Sequence, residues 1–366
     1  MEFALSADQK LLQDSLRRAL ERACPLDRVR RVAADDLPLD REVWRTLCEV
    51  GVPALLVPEA FGGLGLSLLD AALAAEELGR HVAPTPFLGT AVLAPLALRE
   101  AGSAAQQDEW LSRLAAGECI AGVAIAETVA GARDGAGVTA NASGNGTLDG
   151  SALFVLDAGA ADVFVVSDRA GGLHLVRADA QGLTRGALRS IDATRPLGEL
   201  HFAQVKAERL PNSGPATLAR LRSAGWALLA ADTLGAGEAM IGQAVAYAKE
   251  RRQFGRVIGS FQAVKHLCAE MAAALEPGRA LVWYAAHAFD ALPEEAALLA
   301  AHAKSHLSET GTFVARTATE VHGGMGITDL LGLHYWFKRI GFNRQLLGGP
   351  ERVRHLAAEM QGLVAA

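Results

Sequence analysis

The amino-acid sequence predicts an α+β fold made of three consecutive blocks, helical, then β, then helical again. Three observations carry that prediction. Up to about residue 117 apolar side chains recur every three or four positions; from about 118 to 210 they alternate with polar residues between turn signals; beyond a loop at Pro211–Pro215 a helical pattern runs unbroken to Arg251. The boundaries implied are 1–117, 118–212 and 213–366. With 366 residues, 51% of them hydrophobic and 21% charged, the chain is long enough for two or three such units, and one of this size buries about three quarters of its unfolded surface.

In the first block Ser6-Ala7-Asp8-Gln9 is a capping-box pattern, and Leu12, Leu16 and Leu20 follow it at helical spacing. A second helix is predicted from Asp40 to Val50 and a third from Ser67 to Leu78, with Gly51 and Gly79 as the residues that end them. Alanine-rich helices fill the stretch to Gly117. In the middle block Asn145-Gly146 lies between two alternating runs, a two-residue hairpin signal, and Asp162–Val166, Leu173–Val176 and Leu200–Phe202 read as short strands. The helix from Ala216 to Arg251 spans roughly 50 Å and is apolar on more than one face, so a bundle or another subunit must cover it. Further helices are predicted over Phe261–Leu275, Arg279–Leu292, Glu294–His322 and the last fifteen residues, with Pro277-Gly278 kinking or breaking the run.

The charge balance excludes several functions. Thirty-five basic against 41 acidic residues leave a net charge of −6 with no run of like charges, which argues against a nucleic-acid surface. No window of 18 or more uncharged apolar residues predicts a membrane span, and Met1–Leu5 has no basic region ahead of its apolar stretch, so no signal or transit peptide is expected. The four cysteines, Cys24, Cys48, Cys119 and Cys268, lie far apart and read as reduced thiols of a cytoplasmic protein, Cys119 and Cys268 as small core residues. No metal site is expected.

The chemistry lies in local motifs. Arg251-Arg252-Gln253-Phe254-Gly255, followed by Ile258-Gly259-Ser260-Phe261-Gln262-Ala263-Val264-Lys265-His266, sets a basic pair and a glycine turn between two long helices. Read alone, Arg251 and Arg252 could merely cap a helix C-terminus, where positive charge is favourable. Together with Val321-His322-Gly323-Gly324-Met325-Gly326-Ile327-Thr328, Pro58-Glu59-Ala60-Phe61-Gly62-Gly63-Leu64-Gly65 and Asp192-Ala193-Thr194-Arg195, the run resembles the acyl-CoA dehydrogenase family along the whole chain. That resemblance implies an N-terminal helical domain, a barrel-like or sandwich β domain and a C-terminal four-helix bundle. It also implies FAD as cofactor, an acyl-CoA thioester as substrate and an electron-transferring flavoprotein as acceptor.

By the same resemblance, Arg251 faces the FAD pyrophosphate of a neighbouring subunit, a guanidinium fork against phosphate oxygens. Gln253, Phe254, Ile258, Phe261 and Gln262 flank the adenosine-diphosphate half. Gly323-Gly324 lets backbone approach the phosphates, and Glu320 stands where the family has Gln. Phe154 keeps the aromatic that packs on the flavin ring. His266 and His322 lie inside cofactor motifs and are not expected to be bases, and Gly62-Gly63-Leu64-Gly65 is a loop between helices, since no strand precedes it.

Other positions depart from the family. A carboxylate there takes the α-proton while FAD takes hydride from the β-carbon, and its pKa must rise in a dry pocket. The usual base loop reads Leu346-Leu347-Gly348-Gly349-Pro350, with Glu351 just beyond, and the less common base position, on the long helix, is Gly225. Neither is acidic, and two glycines hint at opened space. Asp232, close to two turns beyond Gly225, could reach a pocket as a base or serve as a buried hydrogen-bonding group. The flavin-binding segment Ile125–Arg133 has Ala126 and Ala132 for hydroxyl residues, and Leu156 replaces another.

The adenosine end is thus kept while the isoalloxazine end and the base are lost, which resembles one chain of the heteromeric α2β2 dehydrogenases that act on bulky steroid side-chain CoA thioesters. Two alternatives stay open. One is a self-sufficient homotetramer with a relocated base such as Asp232 or Glu127. The other is a non-redox protein that binds CoA thioesters or flavin.

Overall fold

The computed structural model describes residues 4–131, 133, 136–141 and 146–364. The first block comprises α1 (Ala7–Ala23), α2 (Leu26–Ala34), α3 (Arg41–Glu49), α4 (Leu68–Arg80), α5 (Ala94–Ala101) and α6 (Ala104–Ala115). Ser6 and Gln9 form the expected capping box on α1, and Asp40 caps α3 by accepting from the Glu42 and Val43 amides. Gly51, at φ +80°, follows α3 as expected. Gly79 does not end the third helix, however; α4 runs on to Arg80 and is capped at His81. The glycine serves packing instead, because a Cβ there would overlap the carbonyl oxygen of Asp232.

The middle block contains β1 (Ala121–Ala124), the short α7 (Ala126–Ala130), β2 (Gly137–Ala140), β3 (Thr147–Leu156), β4 (Val163–Ser167), β5 (Leu173–Arg177), β6 (Leu183–Leu188), β7 (Leu197–Lys206) and β8 (Glu208–Arg209). These make one eight-stranded sheet in the order β6-β7-β3-β1-β4-β5-β8, with β2 beside β3. Strands β2 and β3 pair antiparallel as the hairpin signal implies, although Asn145 itself lies outside the described residues. Among the described residues only β1 and β4 pair parallel. One face of the sheet encloses its own apolar cluster around Phe164, Leu200 and Phe202, and the other packs on the helices.

The last block opens with α8 (Pro215–Glu250), followed by the tiny ribbon β9 (Arg252–Gln253) and β10 (Arg256–Val257), then α9 (Gln262–Ala291), α10 (Pro293–His322), α11 (Leu333–Gln345) and α12 (Pro350–Met360). Pro277 does not split α9, which stays one 30-residue helix. Gly278 packs against Leu307 of α10, and Arg279 pairs with Glu76 of α4 and with Glu238 of α8, so tertiary contacts hold the helix across the missing amide. The sequence pattern missed α11. From Ser223 to Gly237 every residue of α8 is buried, as its all-round apolar character demands. Among the described residues no helix is long and apolar enough to cross a membrane.

Candidate functional site

Two regions collect the residues singled out by sequence. The first is an open end of the helical bundle. Helix α8 stops at Glu250, and Arg251 turns into extended backbone while its amide still donates to the Tyr247 carbonyl (2.8 Å). Phe254 and Gly255 both have positive φ, +50° and +77°, which closes the ribbon β9–β10 as a tight hairpin. That geometry pushes the Phe254 ring out to 90% exposure, edge-on to Phe261 (6.2 Å), while the Arg256 guanidinium lies over Phe261 (3.9 Å). Gln262 and His266 face each other one turn into α9 at 2.9 Å.

Helix α10 ends beside this cluster, with the His322 ring against Tyr247 at 4.7 Å. His322 is buried and its Nδ1 meets the Ala318 carbonyl oxygen (2.7 Å), so it is a packing residue. Glu320 is exposed. Gly323, at φ +59°, and Gly324 are exposed with open space where a Cβ would sit, which leaves their backbone approachable. Among the described residues the Arg251 side chain has no hydrogen-bond or ion-pair partner. An unpaired guanidinium, exposed aromatic rings and an open glycine cradle fit the phosphates and adenine of a dinucleotide.

The second region is a cavity of about 470 Å³ between the sheet and the segment from α11 to Gly349, with Glu127, Phe154, Ile191, Phe342, Leu347 and Gly348 in its wall. A register break in β3 between Ala152 and Val155, with Phe154 at φ +57°, turns the Phe154 ring out of the sheet toward it. Glu127 is buried, accepting from the Leu153 amide (2.7 Å) and from Arg133 (3.2 Å). Thr128 is hydrogen-bonded with Ser167 (2.6 Å) and Leu156 sits in the core opposite Val123. Ala126 presents a methyl group, and Ala132 lies outside the described residues. The hydroxyl set expected around a flavin ring is therefore not matched here.

The two base positions lie close together, because Leu347, the neighbour of Gly348, packs onto Gly225, and the hollow at Gly225 is filled. A Cβ on Gly225 would overlap Leu347 Cδ1, so that glycine makes room for a neighbouring side chain and opens no space for substrate, contrary to the hint in the sequence. Trp226 Nε1 donates to the Leu347 carbonyl oxygen (2.8 Å), fixing the loop on α8. Leu347 and Gly348 have φ of +58° and +112°, the second a conformation that side-chain-bearing residues rarely adopt. Glu351, exposed in the first turn of α12, is held below the usual carboxylate range by its own backbone amide and by Arg344.

Asp232 also departs from the base reading. Its Oδ2 accepts from Arg195 (2.8 Å) and Arg339 (3.1 Å), and its Oδ1 from Asn343 (2.6 Å). Burial alone would push its pKa up, yet the two guanidiniums and the amide hold it below the ordinary range. It is absent from the cavity wall. Arg339 further donates to Asp192 (2.5 Å) and Thr194 Oγ1 (2.5 Å), so Asp192-Ala193-Thr194-Arg195 is the sheet's half of a buried charge network. Lys304, which donates to the Asn343 carbonyl, is pushed down to about 7 by burial beside Arg195. Sequence reasoning missed Arg339, Asn343 and Lys304; a polar stripe at Arg339 and Asn343 between Trp336, Ile340 and Phe342 was the available signal.

Comparison with known proteins agrees with this anatomy. Residues 6–118 match the acyl-CoA dehydrogenase N-terminal domain and residues 222–361 the acyl-CoA dehydrogenase C-terminal domain. The chain is 33% identical over 358 residues to acyl-CoA dehydrogenase IpdE2 of Mycolicibacterium smegmatis, covering 97% of this chain and 100% of that one. Among solved structures it is similar to a variant of the Tcur3481–Tcur3483 steroid ACAD (31% identity, TM-score 0.88, 97% and 98% covered). It is also similar to the ChsE4–ChsE5 complex of Mycobacterium tuberculosis (27% identity, TM-score 0.91, both chains covered in full). The chain belongs to the acyl-CoA dehydrogenase family, oxidoreductases that act on CH–CH donors with FAD as cofactor.

Proposed function

We propose that this chain is the base-lacking subunit of a heteromeric, α2β2 acyl-CoA dehydrogenase, completing the FAD site of a homologous partner with the open end of its bundle. One contrast carries the reading: the Arg251–Phe254–Gly323 end is exposed and unpaired, while neither Gly225 nor the loop at 346–350 carries a carboxylate and the space at Gly225 is taken by Leu347. FAD, when bound, supplies the hydride acceptor. Arg251 would pair with its phosphates, Phe254 and Phe261 would pack beside its adenosine half with Gln253, Ile258 and Gln262, and Gly323-Gly324 would admit its oxygens to backbone amides. Glu320 would stand at the rim of that half-site.

The names of the similar proteins support a bulky, steroid-type CoA thioester as substrate and a two-chain assembly. Electron-transferring flavoprotein as acceptor and a cytoplasmic site of action belong to the same reading, the latter supported by four free thiols. So does the division into 1–117, 118–212 and 213–366, supported by family matches bounded at 118 and 222.

The test is the FAD-to-chain ratio and solution mass of the purified chain, alone and co-expressed with its homologous partner. Little FAD alone and about one FAD per pair of chains together is expected. Arg251→Ala should then weaken FAD binding by the assembly about 10–100-fold, the worth of a charged hydrogen bond at ~1.5–3 kcal/mol. One FAD per chain with turnover by the chain alone would replace this reading with a self-sufficient homotetramer.

A further inference from the structure

We propose that Leu347 is a steric plug that shuts this chain's own acyl-binding space, so that restoring a carboxylate would not restore a working centre. The proposal rests on the reading above that the chain has no reaction centre of its own, and it identifies what closes that centre. A base acting from the long helix and one acting from the loop before Pro350 must meet the same α-carbon. In this protein the Leu347 side chain, 2% exposed, sits in the hollow left by Gly225, while Leu347 itself is the chain neighbour of Gly348, so it lies between the two positions.

The plug is held on purpose-built supports. Trp226, fully buried on α8, donates its indole N–H to the Leu347 carbonyl oxygen, and Gly348 takes a conformation that lets the chain turn straight back toward α12. Leu347 itself has positive φ, uncommon for a non-glycine residue and persistent only when the surroundings impose it. On its other side Leu347 walls the 470 Å³ cavity against Phe154 and Glu127. It therefore stands between the cavity and the Gly225 position on α8.

The experiment is isothermal titration of the purified full chain with S-alkyl-CoA thioethers of increasing chain length, from ethyl to octyl. For the unaltered chain, affinity should not change with alkyl length, because only the CoA part can be held. Leu347→Ala should make affinity climb by up to about fourfold per added methylene, the value of a buried CH₂, until the opened space is filled. If Leu347→Ala does not fold, Leu347→Val makes the same measurement with less space opened. Chain-length dependence in the unaltered chain, or none in a folded trimmed variant, overturns the plug. These results are independent of the FAD ratio: half-stoichiometric FAD with a length-dependent unaltered chain would remove the plug and leave the subunit reading intact.

Discussion

The carboxyl of Asp157 lies buried at the end of β3 beside Gly89, and desolvation pushes its pKa up to about 7 against the pull of Arg195. In the unfolded chain it titrates near 4, so between those values the folded state binds the extra proton. Its contribution to stability is complete at acid pH and is lost as pH rises toward and through 7. Asp157→Asn should raise stability at pH 8 by on the order of 2–4 kcal/mol and change little at pH 4. Urea melts at the two pH values check this; equal gains at both would assign the effect to something other than ionisation. The motif around Arg251 was legible because its residues are contiguous and face outward. Leu347 was not, since only the folded chain brings it onto Gly225, 122 positions away in sequence.

Helices α4 and α8 approach closely enough for their backbones to touch. A Cβ on Gly235 would land on the Glu76 carbonyl oxygen, as one on Gly79 would on that of Asp232, so each helix contributes a glycine to the crossing. Gly235→Ala should cost at least ~1–3 kcal/mol by forcing the pair apart, read as a lower urea midpoint. An unchanged midpoint would mean that the helices can separate freely. This crossing explains why a glycine near the end of a helical pattern was misread as its stop: chain-local reasoning sees Gly79 as a helix end, whereas the contact that needs it comes from another helix. For Pro277 the error has the opposite sense, a breaker overruled by Arg279 and its acidic partners. Repeating patterns gave α1, α3, α8 and α10 directly, while α11, which groups Tyr335-Trp336-Phe337 and then Lys338-Arg339, has too little apolar periodicity to be found.

At the scale of the molecule, Asp192, Arg195, Asp232, Arg339 and Asn343 bind sheet to bundle, and Arg339 also reaches the Ala83 carbonyl oxygen of the first block (3.3 Å). Removing one partner of such a network strands the others. Asp232→Asn leaves Arg195 without its carboxylate partner and Arg339 with Asp192 alone, and should cost ~3–5 kcal/mol, a fall in Tm of roughly 5 °C. An unaltered melting curve would show that Asp232 is not the anchor. The three-block architecture was readable because each block has its own periodicity, but the network was not, since its members come from three parts of the chain.

The exposed end of the bundle has a consequence for the cell. Phe254, Ile327 and Leu330 stand 90%, 78% and 75% exposed on the isolated chain. Apolar surface of that kind is tolerated when a second protein covers it and is sticky when none does. Under the two-chain assembly proposed above, copies made in excess of the partner would self-associate or be cleared by proteases, and output of assembled complex would be governed by matched synthesis of two polypeptides rather than by the amount of this one.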